Sequence, residues 1–438
     1  MNPSTDFQKK LRHIRDSWSW SRDQIRDWQL EQLNAQLAEI LPANEFYRAK
    51  FGDTLQLESL DQLADLPTTT KEELVAGAEA VSDHISPHHT YPASAYSRFH
   101  RTSGTTGNPL PILDTDQDWQ SFWSITWQHV LEAANIDAHD RVFLAFSFGP
   151  FIGFWSAHQA CVDRGALVIP GGGLSSLARL EFMRSSKANV LCCTPSYALH
   201  LADVAAQEDF DIGSLPLEKI IVAGEAGGSV PEVRSRLERV WQAKVIDHIG
   251  ATEVGPWGFG WPDKPGLHII ETSFIAELLP LGGSTSVSAS SASVERGTLS
   301  ELVLTSLGRY GAPVIRYRTG DAVRALRPEE GLCKFLWMPE GVVGRADSMV
   351  TIRGVNVFPS SIDAVVREFD AISEYQVLIS RHEALDQMEL RIESDPATRE
   401  SLAKRLQTRL GLRMPVELVP SGSLPRSELK SRRWIDQR

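Results

Sequence analysis

The period of the apolar positions changes near residue 98. Before it, Leu30, Leu33, Leu37 and Leu41 recur at helical spacing, and Ser59-x-x-Gln62 and Thr70-x-x-Glu73 have the form of capping boxes, so about the first eighty residues are predicted to be mostly helical. Beyond Arg98, short apolar runs alternate with longer amphipathic segments: Arg141 to Phe148, Ala166 to Pro170, Val190 to Thr194, Lys219 to Ala223 and Lys244 to His248. Strands alternating with helices at this interval predict an α/β architecture with several layers and mainly parallel sheets. The apolar stretch Val142 to Val162 is interrupted by Gly149-Pro150, Gly153, His158 and Gln159 and reads as core strand, loop and buried helix, not as a membrane span.

The Ser-rich run Gly282 to Ser293 has β-like sequence on both sides, Phe274 to Leu279 and Leu299 to Thr305, which favours an excursion between paired strands over a domain linker. The boundary is expected later. After Gly344-Arg345-Ala346-Asp347 come a hairpin-like stretch (Met349 to Phe358), a helix (Ser360 to Phe369), two strands (Glu374 to Arg381, Met388 to Ile392) and a helix (Pro396 to Leu410). The expected division is a large domain over 1–345 and a small α+β domain over 346–438.

Composition narrows the function classes. Of 438 residues 42% are hydrophobic and 23% charged, an ordinary globular balance, and 44 Lys plus Arg against 56 Asp plus Glu give a net charge of −12, which opposes a nucleic-acid partner. Cys161, Cys192, Cys193 and Cys333 form no C-x-x-C pair and read as buried reduced thiols, neither a zinc site nor a disulfide framework. The N-terminus runs into charged, helix-like sequence with no apolar signal segment, so a cytoplasmic protein with no membrane partner is expected.

Four segments carry candidate chemistry. Thr102-Ser103-Gly104-Thr105-Thr106-Gly107-Asn108-Pro109 combines adjacent hydroxyls with glycines that let backbone amides approach a ligand, the requirement for cradling a polyphosphate, although it lacks the lysine of a Walker A loop. Thr252-Glu253, in Ile249-Gly250-Ala251-Thr252-Glu253, puts a carboxylate beside a hydroxyl at a strand end, where oxygen ligands for Mg²⁺ belong. Asp321, in Tyr317-Arg318-Thr319-Gly320-Asp321, is a carboxylate after a glycine turn, suited to a ribose diol. Lys430 lies in the basic run Pro425 to Arg433, which by itself is an ordinary solvated tail.

The joint order of these segments, with Gly344-Arg345-x-Asp347 between the last two, resembles the adenylate-forming enzymes, the superfamily of acyl-CoA synthetases, peptide-synthetase adenylation domains and luciferases. Asn44 to Arg48, Leu66-Pro67-Thr68-Thr69-Thr70-Lys71-Glu72, Gly266-Leu267-His268 and Arg353 to Pro359 make it similar to the phenylacetate-CoA ligase branch, over a span from about residue 30 to the end. The resemblance implies a large domain that binds ATP and a carboxylic acid and a small mobile one that brings in the catalytic lysine, Lys430. By it, Ser103, Gly104, Thr105, Thr106 and Gly107 hold the β- and γ-phosphates, Thr252 lies near the α-phosphate and Glu253 on Mg²⁺. Gly224, Glu225, Ile249 and Gly250 lie beside adenine, Asp321 holds the ribose with help from Arg345, and Asp347 is the hinge. Phe146, Phe148, Phe151, Tyr197 and Trp257, with Phe154 and Trp155 near them, wall an acid pocket suited to an aryl acid.

The implied reaction joins the acid to ATP as an acyl-adenylate, releases pyrophosphate and passes the acyl group to the thiol of CoA. Transfer to a carrier-protein pantetheine or an amine is the alternative, and a non-catalytic nucleotide-binding homologue is a second, since Ile249 stands where relatives carry an aromatic residue and Leu429 where glycine is common. A homodimer is one assembly that the resemblance allows.

Overall fold

Helices lead the chain, as the apolar spacing requires: Thr5–Ser17, Arg22–Ile40 and Glu45–Phe51, the second opened by a capping box between Ser21 and Gln24. The computed structural model describes residues 5–79, 86–102, 109–225, 227–281, 297–346, 350–352, 355–382, 385–425 and 433–437. These divide into two compact units, Met1–Gly341 and Val342–Arg438. Thr70 and Glu73 form the expected capping box, Glu73 N–H donating to the Thr70 hydroxyl at 3.3 Å and Thr70 N–H to the Glu73 carboxylate at 2.8 Å, and it opens the helix Lys71–Glu79. The Ser59 box does not form. Ser59 makes no side-chain cap, Gln62 instead accepts from Glu58 N–H at 2.7 Å, and the segment closes as the short 3₁₀ helix Leu60–Asp65.

In the first unit a hairpin, β1 (Arg98–Arg101) and β2 (Pro111–Asp114), precedes the main sheet. That sheet contains β3 (Arg141–Leu144), β4 (Leu167–Pro170), β5 (Val190–Cys193), β6 (Lys219–Val222) and β7 (Lys244–Ala251) in the order β4-β3-β5-β6-β7, all parallel. Their continuous apolar runs follow from burial on both faces, with Phe143, Leu191, Ile220 and Val245 in a core closed by helices that include Ser176–Ser186, Pro195–Gln207 and Pro231–Trp241. Antiparallel strands β8 (Gly255–Trp261) and β9 (Lys264–Ile269) extend the sheet beyond β7. Next, β10 (Phe274–Pro280), β11 (Leu299–Ser306) and β12 (Tyr317–Arg324) form a second, antiparallel sheet. The Ser-rich run thus joins two adjacent paired strands and itself lies outside the described residues. Strand β13 (Trp337–Met338) completes the edge beside β9.

The second unit starts with β14 (Val342–Arg345) and the hairpin β15 (Val350–Ile352) with β16 (Val355–Val357). Its sheet pairs β17 (Glu374–His382) antiparallel with β18 (Leu385–Glu393), flanked in parallel by β20 (Trp434–Asp436) and β19 (Val416–Leu418). The helices Pro359–Val366 and Pro396–Leu410 cover it, burying Ile362, Val377, Leu390, Leu402 and Leu406 together. All four cysteines are buried and free, and among the described residues no helix is long and apolar enough to cross a membrane.

Candidate active site

The strand order fixes where a ligand can enter. The chain leaves β3 for β4 on one side and then crosses to β5 on the other, so a crevice opens outside the carboxyl ends of β3 and β5. Phe146, Phe148 and Phe151 follow β3, Tyr197 follows β5, Gly224 and Glu225 follow β6, and Thr252 and Glu253 follow β7. Segments spread over more than a hundred residues therefore share one edge of the sheet.

After β3 the chain is strained. Phe148 has φ +39°, a left-handed backbone that costs a bulky residue about 1–2 kcal/mol. Its ring packs edge-on to Trp155 at 5.2 Å, and Trp155 Nε1–H donates to the Gly149 carbonyl at 3.0 Å. A Cβ on Gly172 would stand 3.1 Å from the Phe148 ring, so glycine there leaves the ring its place. Phe146 stacks on Phe154 with centroids 4.1 Å apart and rings 20° from parallel. Across the crevice Thr194 caps the helix Pro195–Gln207 by accepting from Tyr197 N–H, with Pro195 at the first turn. The Tyr197 hydroxyl lies 3.1 Å from that of Ser176, and the Arg179 guanidinium sits 4.9 Å from its ring centre. Trp257, expected in the same wall, is 1% exposed in β8 and belongs to the core.

After β6 and β7 the backbone is closely specified. Gly224 has φ +93°, and Glu225 accepts from Ser196 N–H at 3.1 Å and from the Ser196 hydroxyl, which ties the turn after β6 to the helix after β5. Strand β7 is longer than the sequence reading, so Ile249 and Gly250 lie within it. Ile249 faces Gly258 in register, where a Cβ would approach the isoleucine to 2.7 Å. Thr252 and Glu253 occupy the turn between β7 and β8, closed by Val254 N–H to the Ala251 carbonyl at 3.2 Å.

Three residues not singled out in the sequence hold that turn. Arg309 Nη1 donates to the Glu253 carbonyl at 2.8 Å, while Nε and Nη2 donate to Asp114 Oδ1 at 3.0 and 2.8 Å. Asp114 ends β2, the strand that leaves the phosphate-type loop. The loop's base is fixed by Thr102 N–H to the Leu110 carbonyl at 3.0 Å, and Arg101 N–H donates to Pro150 at 3.1 Å, beside the aromatic segment. Finally Lys71 Nζ pairs with Glu253 Oε1 at 2.9 Å. Lys71 had a signal, as part of the Leu66 to Glu72 run, whereas a lone arginine and a strand-end aspartate have none.

The expected glycine turn before Asp321 is a bulge within β12. Gly320 has φ +70°, the pairing with β11 shifts between Glu301 and Val303, and Thr319 Oγ1 accepts from Asp321 N–H at 3.0 Å while donating to the Leu302 carbonyl at 2.8 Å. Arg345 ends β14, in the second unit. Ser103, Gly104, Thr105, Thr106, Gly107, Asp347 and Lys430 lie outside the described residues.

The donor set suits magnesium carried on a nucleotide. Among the described residues no three His, Cys, Asp or Glu side chains gather as a metal cage, while the Glu253 carboxylate, 10% exposed, already holds a cation in the Lys71 ammonium. One carboxylate plus substrate phosphates and water is the usual way a protein takes Mg²⁺.

Residues 48–271 match the AMP-binding enzyme family, and residues 354–438 match the AMP-binding enzyme C-terminal domain. The phenylacetate-coenzyme A ligases of Pseudomonas putida and Escherichia coli K12 are each 30% identical to the chain, over 95% of it and 95% and 96% of their own lengths. A crystal structure of 2-hydroxyisobutyryl-CoA ligase in the postadenylation state with 2-HIB-AMP superposes with TM-score 0.84 at 27% identity, covering 94% of this chain and 89% of that one. The same ligase with 2-HIB-AMP and CoA in the thioesterification state gives 0.71 at 28% identity, covering 96% and 91%. With both domains of the family matched and relatives aligned end to end, the chain belongs to the AMP-binding, adenylate-forming enzymes.

Proposed function

We propose that the chain is an AMP-forming acid–thiol ligase. A carboxylate oxygen of the acid attacks the α-phosphorus of ATP and expels pyrophosphate; the thiolate sulfur of CoA then attacks the acyl carbon and expels AMP. The observation that carries this reading is the convergence of Phe146 to Phe151, Tyr197, Glu225 and Thr252-Glu253 on one carboxyl edge of the sheet, in a chain that matches CoA ligases over 95% of its length.

In this reading Ser103 to Gly107 cradle the β- and γ-phosphates, Gly224, Glu225, Ile249 and Gly250 bound the adenine, and Asp321, assisted by Arg345, takes the ribose hydroxyls. Thr252 donates to the α-phosphate and Glu253 would hold Mg²⁺. The metal supplies positive charge where the approach of two anions raises the barrier. Lys430 adds a second charge at the developing oxyanion, and Asp347 is the hinge on which the small domain withdraws it for thiol transfer. The domain boundary near 345 belongs to the same reading.

In this reading the aromatic side chains Phe146, Phe148, Phe151 and Tyr197, which follow β3 and β5, wall the acid pocket and favour an aryl acid. A short branched acid is the second reading. The Phe154 ring stacked on Phe146 fills space in that wall, and the solved relative of TM-score 0.84 carries the adenylate of such an acid. Four buried free thiols support placement in the cytoplasm.

The test is pyrophosphate release with ATP and Mg²⁺ across aryl and short aliphatic acids, with and without CoA. Release that depends on one acid class and accelerates with CoA is the expected result. Acceleration only by a carrier-protein pantetheine or an amine transfers the acceptor assignment, and sedimentation of the same preparation distinguishes monomer from homodimer.

A further inference from the structure

Lys71 is the first residue of a helix whose start is fixed twice. The Thr70–Glu73 capping box sets the helix terminus, and Thr69 makes a parallel bridge to Tyr317, with Thr69 N–H donating to Arg316 and Arg318 N–H donating to Thr69, both at 2.8 Å. From that anchor the ammonium reaches Glu253 at 2.9 Å, across 182 positions of sequence; the lysine side chain is 33% exposed and the glutamate 10%. A carboxylate so nearly buried is costly without a partner, and Lys71 supplies one in the ligand-free protein. Arg309 does not share that task, because it donates to the Glu253 backbone carbonyl and its own charge is matched by Asp114.

We infer that Lys71 is the resident counter-ion of Glu253, neutralising the carboxylate as the triphosphate approaches and until the divalent metal carried on the nucleotide takes over that charge. The inference rests on the proposed role of Glu253 beside the phosphates. A nucleotide arriving without metal would otherwise meet an unscreened carboxylate, two anions a few ångströms apart in a site of low dielectric. With metal bound, the carboxylate has a second cation, and the contribution of Lys71 shrinks. Its four-carbon stem and partial exposure leave it free to share the phosphates at that stage.

The experiment is calorimetric binding of ATP without acid, in EDTA and in Mg²⁺, to the full chain and to K71M, E253Q and the double variant. K71M is expected to weaken binding on the order of tenfold in EDTA and markedly less in Mg²⁺. K71M/E253Q is expected to recover the EDTA affinity, since no carboxylate remains to be neutralised, and K71R to behave as the parent chain. Equal weakening of K71M in both conditions, no weakening at all, or no recovery in the double variant overturns the inference. E253Q is expected to lose the enhancement by Mg²⁺. If it keeps that enhancement, Glu253 is not the metal ligand, while the EDTA comparison still decides the role of Lys71. Thermal unfolding of each variant separates a binding effect from loss of the fold.

Discussion

Arg309 and Asp114, 195 residues apart, form an ion pair in which neither side chain has any exposed surface, and the third donor of the same guanidinium holds the Glu253 carbonyl. The pair links the end of the β1–β2 hairpin to the Thr-Glu turn. Asp118 fixes the arginine's own loop by accepting from Tyr310 and Gly311 N–H at 2.7 and 3.0 Å. Asp114→Asn leaves the arginine charged, buried and without its counter-charge. The variant is expected to lose about 3–5 kcal/mol of unfolding free energy, read by urea denaturation. An unchanged urea midpoint would show that Trp123, which donates to Asp114 at 2.8 Å and lies under the guanidinium, suffices to hold the loop.

The buried parallel strands were legible because each is a short apolar run bounded by turn residues, whereas the strand order that places the crevice came only with the fold. The pair just described was not legible. A lone arginine in Leu307-Gly308-Arg309-Tyr310 carries no local signature, and its partner is visible only once the hairpin and the loop are folded together. The Ser59 box failed for a related reason: the pattern S-x-x-Q is local, but the chain closes into a 3₁₀ turn whose geometry offers Gln62 a nearer donor at Glu58. The setting of Asp321 was misread, because a bulge with Gly320 at positive φ and a β-turn present the same sequence. Lys71 lies inside the Leu66 to Glu72 run, yet only the fold shows which carboxylate it faces.

Acid should destabilise the protein through its buried histidines. Burial lowers His129 and His89 to about 3, and His100, His248 and His268 to about 4, from an ordinary value of 6.5. His129 Nδ1 accepts from Trp18 Nε1–H at 3.1 Å, a bond that protonation would break. These folded values lie below the unfolded one, so the unfolded chain binds more protons as pH falls. Their stability contribution is complete above about 6.5 and is lost on descent towards 4. Asp247, pushed up to about 6 by burial, acts in the opposite direction between about 4 and 6, as do Asp118 and Glu277, which burial also raises, but the buried histidines, His88 among them, outnumber these carboxylates. Urea unfolding from pH 7 to 4.5 should therefore show a steady fall in stability, of several kcal/mol at about 1.4 per unit of pKa shift realised. A flat profile would mean that these side chains are hydrated in solution.

Phe154→Ala addresses the size of the acid. The ring stacks on Phe146 at 4.1 Å, and removing it enlarges the wall behind the residues that follow β3. The ratio of kcat/KM between a longer and a shorter acid is expected to shift towards the longer one by at least about tenfold, the discrimination that a single methylene in an apolar pocket supplies. Stability measured in parallel accounts for the lost packing. If every acid falls by the same factor, Phe154 supports the fold and the pocket lies elsewhere along the edge.

Lys430→Ala separates the two half-reactions. Joining a carboxylate to the α-phosphorus brings two anions together, so the step depends on charge already in position, and removing one such donor from an active site commonly costs 10²–10³-fold. Thiol transfer has a neutral acyl carbon as its target and expels AMP instead of joining two anions, so it is expected to have less need of that lysine. Adenylation measured by pyrophosphate release is expected to fall on the order of 10²–10³-fold, while thioester formation from pre-made acyl-adenylate falls much less. Asp347→Pro should show the reverse, with adenylation kept and thiol transfer lost, because a fixed φ at the proposed hinge would hinder reorientation of the small domain. Equal losses in both steps for Lys430→Ala would assign the lysine to binding of the common adenylate, and alternation between domain positions would then have no support from this residue.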